Sequence, residues 1–194
     1  MDFYQQHAQD YHHRTVGVDP SAFLTPLAKH LAPGADVLDI GCGSGRDLKW
    51  LRERGFSVTG FERSKGLAAL ARRHAGCTVV EGDFEIYDFS RLQADALLLC
   101  GALVHLPHAR FEEVFKNILR ALKPGGRVLV SLKQGTGFST VNDGRIFYYW
   151  QAKDAEAVFA RQKLAVLEFQ TGVSQVNRSD IWLSWVLLNS AKSK

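Results

Sequence analysis

The sequence predicts an α/β domain: a mostly parallel β-sheet covered on both faces by helices, with an antiparallel pair at one edge. Three observations predict it. From residue 35 onward, short and nearly continuous apolar runs alternate with helical patterns, as strands of a parallel sheet buried on both faces do. The first run ends in a glycine cluster, Gly41-Cys42-Gly43-Ser44-Gly45, that opens a helix. The last two runs, 164–170 and 181–188, have only the polar stretch 171–180 between them, and adjacent strands without a helix are most simply a hairpin.

Each element follows in order. Residues 2–30 read as helices outside the sheet, broken at 17–20 by Gly17 and Pro20. Residues 35–40 form the first strand and 46–54 the next helix. The second strand is 57–62, followed by a helix over 65–74, and the third strand is 77–81. A loop or short helix at 87–92 leads to the fourth strand, 95–100. The helix over 109–122 sets Phe111, Val114, Phe115, Ile118 and Leu122 on one face. Lys123-Pro124-Gly125-Gly126 stops it, since proline cannot continue a helix and glycine supplies the turn. The fifth strand is 127–133. A polar loop over 134–144 precedes the aromatic run 145–150, and a helix near 153–161 precedes the final pair of strands.

Composition bounds the function. The chain has 194 residues, 46% hydrophobic and 23% charged, which suits one domain with its own core and excludes disorder as the main state. The most apolar segment free of charge and histidine, 96–104, falls far short of the roughly 20 residues a membrane span needs. Residues 1–6 lack the basic-then-apolar order of a secretory signal. Three cysteines, Cys42, Cys77 and Cys100, match neither a zinc knuckle nor a CxxC motif. They read as buried thiols in a reducing compartment, so a cytoplasmic protein without a metal site is expected. The net charge is +4, but Arg72-Arg73 and the lysines of 192–194 are the only short basic clusters. That pattern disfavours a nucleic-acid partner. The oligomeric state, monomer or dimer, is left open.

The glycine loop carries the most chemistry. Alternate glycines after a strand let the backbone turn, approach a ligand closely and enter the next helix. Dinucleotides prefer GxGxxG; here the spacing is GxGxG, with Arg46 where the third glycine would be. Asp39, two residues ahead of the loop, would repel a pyrophosphate and attract an ammonium or sulfonium. Glu62 ends the second strand, where a carboxylate can accept hydrogen bonds from ribose hydroxyls. Asp83 and Phe84 follow the third strand, placed to accept from an adenine amino group and to pack on the ring. No GxxxxGK[ST] follows a strand.

These residues resemble the class I S-adenosylmethionine-dependent methyltransferases, in particular the small type 11 and tellurite-resistance-like group. The resemblance runs from Tyr4 onward. Its carriers are Val37-Leu38-Asp39-Ile40-Gly41-Cys42-Gly43-Ser44-Gly45, Glu62, Glu81-Gly82-Asp83-Phe84, Ala102-Leu103-Val104-His105-Leu106-Pro107 and Leu122-Lys123-Pro124-Gly125-Gly126. It implies a Rossmann-like, doubly wound, seven-stranded sheet of order 3-2-1-4-5-7-6. It also implies one domain over 1–194, with residues 1–34 a helical cap over the cofactor and 35–194 the catalytic core. S-adenosylmethionine is then the cofactor and S-adenosylhomocysteine its product.

Residue by residue, the resemblance assigns Gly41, Gly43 and Gly45 to the methionyl part, with Asp39 near its amino group and Cys42 among the cofactor-binding residues. Glu62 takes the ribose, Arg63 flanks the adenine, Asp83 and Phe84 hold the base, and Cys100 and Gly101 border the methionyl chain. Tyr4 and Tyr11 match the family's N-terminal tyrosines, which close over the cofactor. The family's usual double histidine is Val104-His105 here, which departs from any two-histidine catalysis.

Methyl transfer from a sulfonium is an in-line displacement, so catalysis needs near-attack geometry first and a base only where the acceptor loses a proton. His105 is the candidate base; a helix-start histidine packed against its loop is the competing reading. His12, with its neighbours His7 and His13, and Tyr148 and Tyr149 of the aromatic run are candidates for binding the acceptor. No Asn/Asp-Pro-Pro-Tyr/Phe occurs, and little chain is left for a separate recognition domain, so a small-molecule acceptor is expected. A cofactor-binding regulatory protein without turnover, and a methyltransferase acting on RNA or protein, are the alternatives.

Overall fold

The computed structural model describes residues 3–190; the basic cluster at 192–194 lies outside them. Helices α1 (Phe3–Gln6), α2 (Ala8–Thr15) and α3 (Ser21–Ala28) precede the sheet, with the chain bending between α2 and α3 where Gly17 and Pro20 stand. The core then alternates β1 (Asp36–Ile40), α4 (Arg46–Arg52), β2 (Ser57–Glu62), α5 (Lys65–Ala75), β3 (Thr78–Glu81), β4 (Ala94–Cys100), α6 (His108–Ile118) and β5 (Leu122–Lys133). Beyond it lie the short strands β6 (Phe138–Thr140) and β7 (Ile146–Tyr148), helix α7 (Ala152–Arg161) and strands β8 (Leu164–Val173) and β9 (Ile181–Asn189).

The main sheet has seven strands in the order β3-β2-β1-β4-β5-β9-β8. The first five are parallel, while β9 runs antiparallel to both β5 and β8. This is the expected order, with β9 and β8 as the sixth and seventh strands met across the sheet. Residues alternating along each strand feed opposite layers, as the two-residue period of a strand requires. On one face Leu38, Ile40, Leu97, Leu99, Val128 and Val130 pack with Phe111 and Phe115 of α6 and Phe159 of α7. On the other, Val37, Ala96, Leu98 and Leu129 pack with Leu24 and Leu27 of α3 and Trp50 and Leu51 of α4.

Two expectations differ from the structure. Helix α6 ends at Ile118 and tightens into a 3-10 turn over Leu119–Ala121, so that Leu122 already pairs with Ala94. The residue before a proline is biased toward extended backbone, and Lys123 precedes Pro124, so the segment read as a stop is drawn into β5. The loop and aromatic run over 134–150 contain the antiparallel hairpin β6–β7, with Phe138 opposite Tyr148 and Thr140 opposite Ile146. Its strands are three residues each, too short to show an alternating pattern in the sequence.

Candidate functional site

The site is built at the carboxyl ends of β1, β2, β4 and β5, where the direction of chain crossover reverses beside β1. Gly45 stands in left-handed backbone (φ 78°), and a Cβ on it would lie 2.8 Å from the Cα of Ala71. This glycine therefore packs α4 against α5 and lets the chain enter α4; it borders neither cavity of the site. Gly43 faces the opening instead: a Cβ there would stand 3.2 Å from the Tyr11 ring. Its N–H donates to Glu62 Oε2 at 3.0 Å, while Glu62 Oε1 accepts the Ser64 N–H at 2.8 Å. The carboxylate of Glu62, only 7% exposed, thus ties the loop after β1 to the end of β2. Burial raises its pKa, opposed by those N–H donors.

Asp39 is 2% exposed, and its Oδ2 is a buried oxygen with no hydrogen-bond partner. Burial first, then the neighbouring Asp47 carboxylate, push its pKa well up, against the opposing pull of Arg46. Arg46 Nε in turn donates to Asp47 Oδ1 at 2.6 Å. At the end of β4, the Gly101 N–H donates to Ser131 Oγ at 2.9 Å. Burial, followed by Asp47, lifts the Cys100 thiol to about 12, so it stays protonated.

Two cavities meet here. The larger, about 730 Å³, is bordered by Asp39, Gly41, Cys42, Gly43 and Arg46 on the β1 side, and by Ser131, Lys133, Phe147 and Trp182 on the other. The smaller, about 110 Å³, is bordered by Glu62, Arg63, Phe84 and His105. Tyr4, Tyr11, Gly41, Gly43, Cys100 and Gly101 border both. Three segments wall the larger cavity: the N-terminal helices, the turn of the β6–β7 hairpin, and the loop between β8 and β9. Gln175 of that loop donates to the Asp19 carbonyl at 3.2 Å, joining two of them. Arg145 joins the others, its guanidinium 4.1 Å from the Phe3 ring centre and paired with Asp143 at 2.7 Å.

Most of the expected site residues converge on these cavities, and five do not. Gly45 is the packing glycine described above. Asp83 sits at the rim with its carboxylate 3.4 Å from Arg63 and its Oδ1 accepting the Glu85 N–H, so it closes a turn rather than facing the opening. His12 points away from the cavity toward His74, ring centres 5.8 Å apart, because Tyr11 and Thr15, four apart on α2, occupy the inward face. Tyr148 and Tyr149 also turn outward. The strand period puts Phe147, 8% exposed, on the cavity side and Tyr148 against Phe138 and His108; Tyr149 Oη lies 2.7 Å from Ser139 Oγ. The wall of the larger cavity is instead Phe147 with Trp182. His105 does reach the smaller cavity, its Nε2 2.7 Å from Tyr4 Oη.

Sequence reasoning missed Arg46, Ser131 and a buried ion pair, Lys133 Nζ to Asp180 Oδ2 at 2.8 Å. The Lys133 ammonium also stands 3.8 Å from the Phe147 ring centre. The basic residue after the glycine loop was a signal for Arg46; nothing local marks a pair 47 residues apart. Among the described residues, no group of three or more histidine, cysteine or acidic side chains is placed to hold a metal ion, and no helix is long and apolar enough to cross a membrane.

Residues 37–126 match the family model described as a methyltransferase domain. A ubiquinone biosynthesis O-methyltransferase of Coxiella burnetii is 31% identical over 163 residues, covering 78% of this chain and 65% of the relative. A sterol 24-C-methyltransferase of Yarrowia lipolytica is 31% identical over 142 residues, 64% of this chain and 37% of that protein. The chain thus spans less than two thirds of the length of these relatives. Among solved structures, the fold is shared with the Burkholderia thailandensis 1,6-didemethyltoxoflavin-N1-methyltransferase, solved with 1,6-didemethyltoxoflavin and S-adenosylhomocysteine bound. The two share 22% identity at a TM-score of 0.77, over 96% of this chain and 86% of that one. A SAM-dependent methyltransferase of Methanosarcina mazei aligns at a TM-score of 0.75 and 16% identity, over 86% and 98% of the two chains. The glycine loop with its flanking acids, the sheet order and the matched segment agree: residues 37–126 are similar to a methyltransferase domain, on a fold shared with S-adenosylmethionine-dependent methyltransferases of known structure.

Proposed function

We propose that this chain binds S-adenosylmethionine across the two cavities and transfers its methyl group to a small-molecule acceptor, leaving S-adenosylhomocysteine. The observation that carries this reading is the Asp39 carboxylate: buried, with one oxygen unpartnered, beside the glycine loop. A buried carboxylate is costly until a cation pairs with it. An ammonium or sulfonium supplies that partner, whereas a pyrophosphate would repel it.

The residues present fit the cofactor. Glu62 offers acceptors for the ribose, Arg63 and Phe84 border the smaller cavity where the base would lie, and Gly41 and Gly43 leave room at the junction. When bound, the cofactor supplies a methyl group on an activated sulfonium leaving group. The chain's own part is positioning, which is worth about 7–11 kcal/mol when reacting groups are held in near-attack geometry, together with exclusion of water by the three walls.

A small acceptor is supported by the larger cavity, whose volume falls within the usual range for small-molecule sites. The Coxiella and Burkholderia proteins are named for methyl transfer to acceptors of the same class. A single domain with a helical cap and a cytoplasmic setting complete the reading, the latter supported by three cysteines without disulfides.

Calorimetric titration with S-adenosylhomocysteine, followed by incubation with methyl-labelled S-adenosylmethionine and a cell metabolite extract, tests it. Saturable binding and a labelled small product are expected. Absence of binding would overturn the reading, and binding without any transfer would leave a regulatory protein.

A further inference from the structure

Three side chains from three separate parts of the chain line up at the junction of the cavities. His105 Nδ1 lies 2.6 Å from the Ile146 carbonyl oxygen. A carbonyl only accepts, so Nδ1 carries the hydrogen. In the neutral ring Nε2 is then a bare acceptor, and the Tyr4 hydroxyl, 2.7 Å away, donates to it. Arg145 stands by the Tyr4 ring, its guanidinium 5.7 Å from the ring centre, and is itself held by Asp143 through two bonds of 2.9 and 2.7 Å. Tyr4 borders both cavities; His105 borders only the smaller one.

We propose that Tyr4 and His105 form a proton relay for an acceptor hydroxyl, with the Arg145 guanidinium beside Tyr4 favouring negative charge on its oxygen as the protons move, so that the protein methylates oxygen. The inference rests on the methyl-transfer reading above and names the acceptor atom. An amine attacks through a free lone pair and sheds its proton to water afterwards, and a thiol ionises unaided near pH 8.5. A hydroxyl is a weak nucleophile until its proton leaves. A tyrosine, with an ordinary pKa of about 10, is matched to a phenolic or enolic hydroxyl.

In the step, the acceptor proton passes to Tyr4 Oη as the Tyr4 proton passes to His105 Nε2. The acceptor oxygen's lone pair forms the new bond to the methyl carbon, and the carbon–sulfur pair leaves on sulfur, which becomes a neutral thioether. The half-buried imidazolium, still donating through Nδ1 to Ile146, returns its extra proton to water. The titratable and charged groups facing the relay are Tyr11 from α2, Arg145 and Asp143 from the hairpin, and Lys133 across the Phe147 ring. His7 stacks on Phe3 of the relay's own helix.

Tyr4→Phe keeps the ring contacts with Phe3 and Tyr11 and removes only the hydroxyl; His105→Gln keeps an acceptor for Tyr4 that cannot take a proton. Long-range nitrogen–proton spectra of labelled protein, alone and with S-adenosylhomocysteine, should show His105 as the Nδ1–H tautomer with Nε2 bare, and Tyr4→Phe should move its titration. With saturating methyl-labelled S-adenosylmethionine and metabolite extract, both variants should lose about 10²–10⁴-fold in transfer rate. The acid limb of the wild-type pH profile should vanish in His105→Gln. An Nε2–H tautomer, a product methylated on nitrogen or carbon, or wild-type transfer in Tyr4→Phe would overturn the relay. Failure of the parent reading is distinguishable, because it would appear as no cofactor binding at all.

Discussion

Asp39 and Glu62 are two acids kept under opposite constraints within one small volume. Glu62 is satisfied by the Gly43 and Ser64 N–H groups; Asp39 is left with an oxygen unpaired. Removing the Glu62 carboxylate in Glu62→Ala should weaken S-adenosylhomocysteine binding by about 1.5–3 kcal/mol, the range for a hydrogen bond to a charged group. Unchanged affinity by calorimetry would take Glu62 out of the site. For Asp39 the sign of the pH effect follows from its raised pKa. The folded protein holds a proton that the unfolded chain releases at lower pH, so this group's contribution to stability is full below the ordinary carboxylate pKa. It is lost as pH rises through the raised value. A ligand ammonium beside Asp39 reverses the shift, so binding S-adenosylhomocysteine below that raised pKa should release a proton. Calorimetry in two buffers of different ionisation enthalpy reads this directly, and Asp39→Asn should abolish it. Equal heats in both buffers for the wild type would place the ligand's cation elsewhere.

At the scale of elements, the site depends on how α4, α5 and the N-terminal helices meet. Gly45→Ala forces a side chain into left-handed backbone, at about 1–2 kcal/mol, and into the Ala71 backbone 2.8 Å away. Urea unfolding should therefore show a loss larger than that backbone cost alone, while a loss below 1 kcal/mol would mean that α5 yields easily. The hairpin β6–β7 clasps α1 through Arg145 over Phe3. Arg145→Ala should speed hydrogen exchange across α1 and α2 while leaving β1 and β4 protected, since the cation–π contact, about 0.5–2 kcal/mol, secures only the cap. Faster exchange throughout the sheet would show that the hairpin supports the whole core.

At the scale of the molecule, what the sequence made legible was whatever is periodic or bound to one loop. The strand–helix alternation from 35 onward placed all seven strands of the main sheet, and the GxGxG spacing with Asp39 and Glu62 placed the core of the site. The misses have one physical source: they depend on contacts between distant segments or on the direction of a side chain. Lys133 meets Asp180 only because β5 and β9 pair with Lys133 opposite Trp182. Tyr148 was read as facing the acceptor because an aromatic run names its members without saying which alternate one turns inward; once β7 is a strand, it is Phe147. The two cavities also bear on the thermodynamics of the chain as a whole, because a ligand bridging them holds the cap, the glycine loop and the ends of β2 and β4 together. At a hundred times its Kd, S-adenosylhomocysteine should add about 2.7 kcal/mol to the unfolding free energy. For a chain of this length that raises Tm by roughly 5–11 °C. The same concentration of NAD should leave Tm where it is, since its pyrophosphate would face Asp39 across the glycine loop. An equal rise with NAD would return the loop to the dinucleotide class, and with it the acid that now argues for a cation.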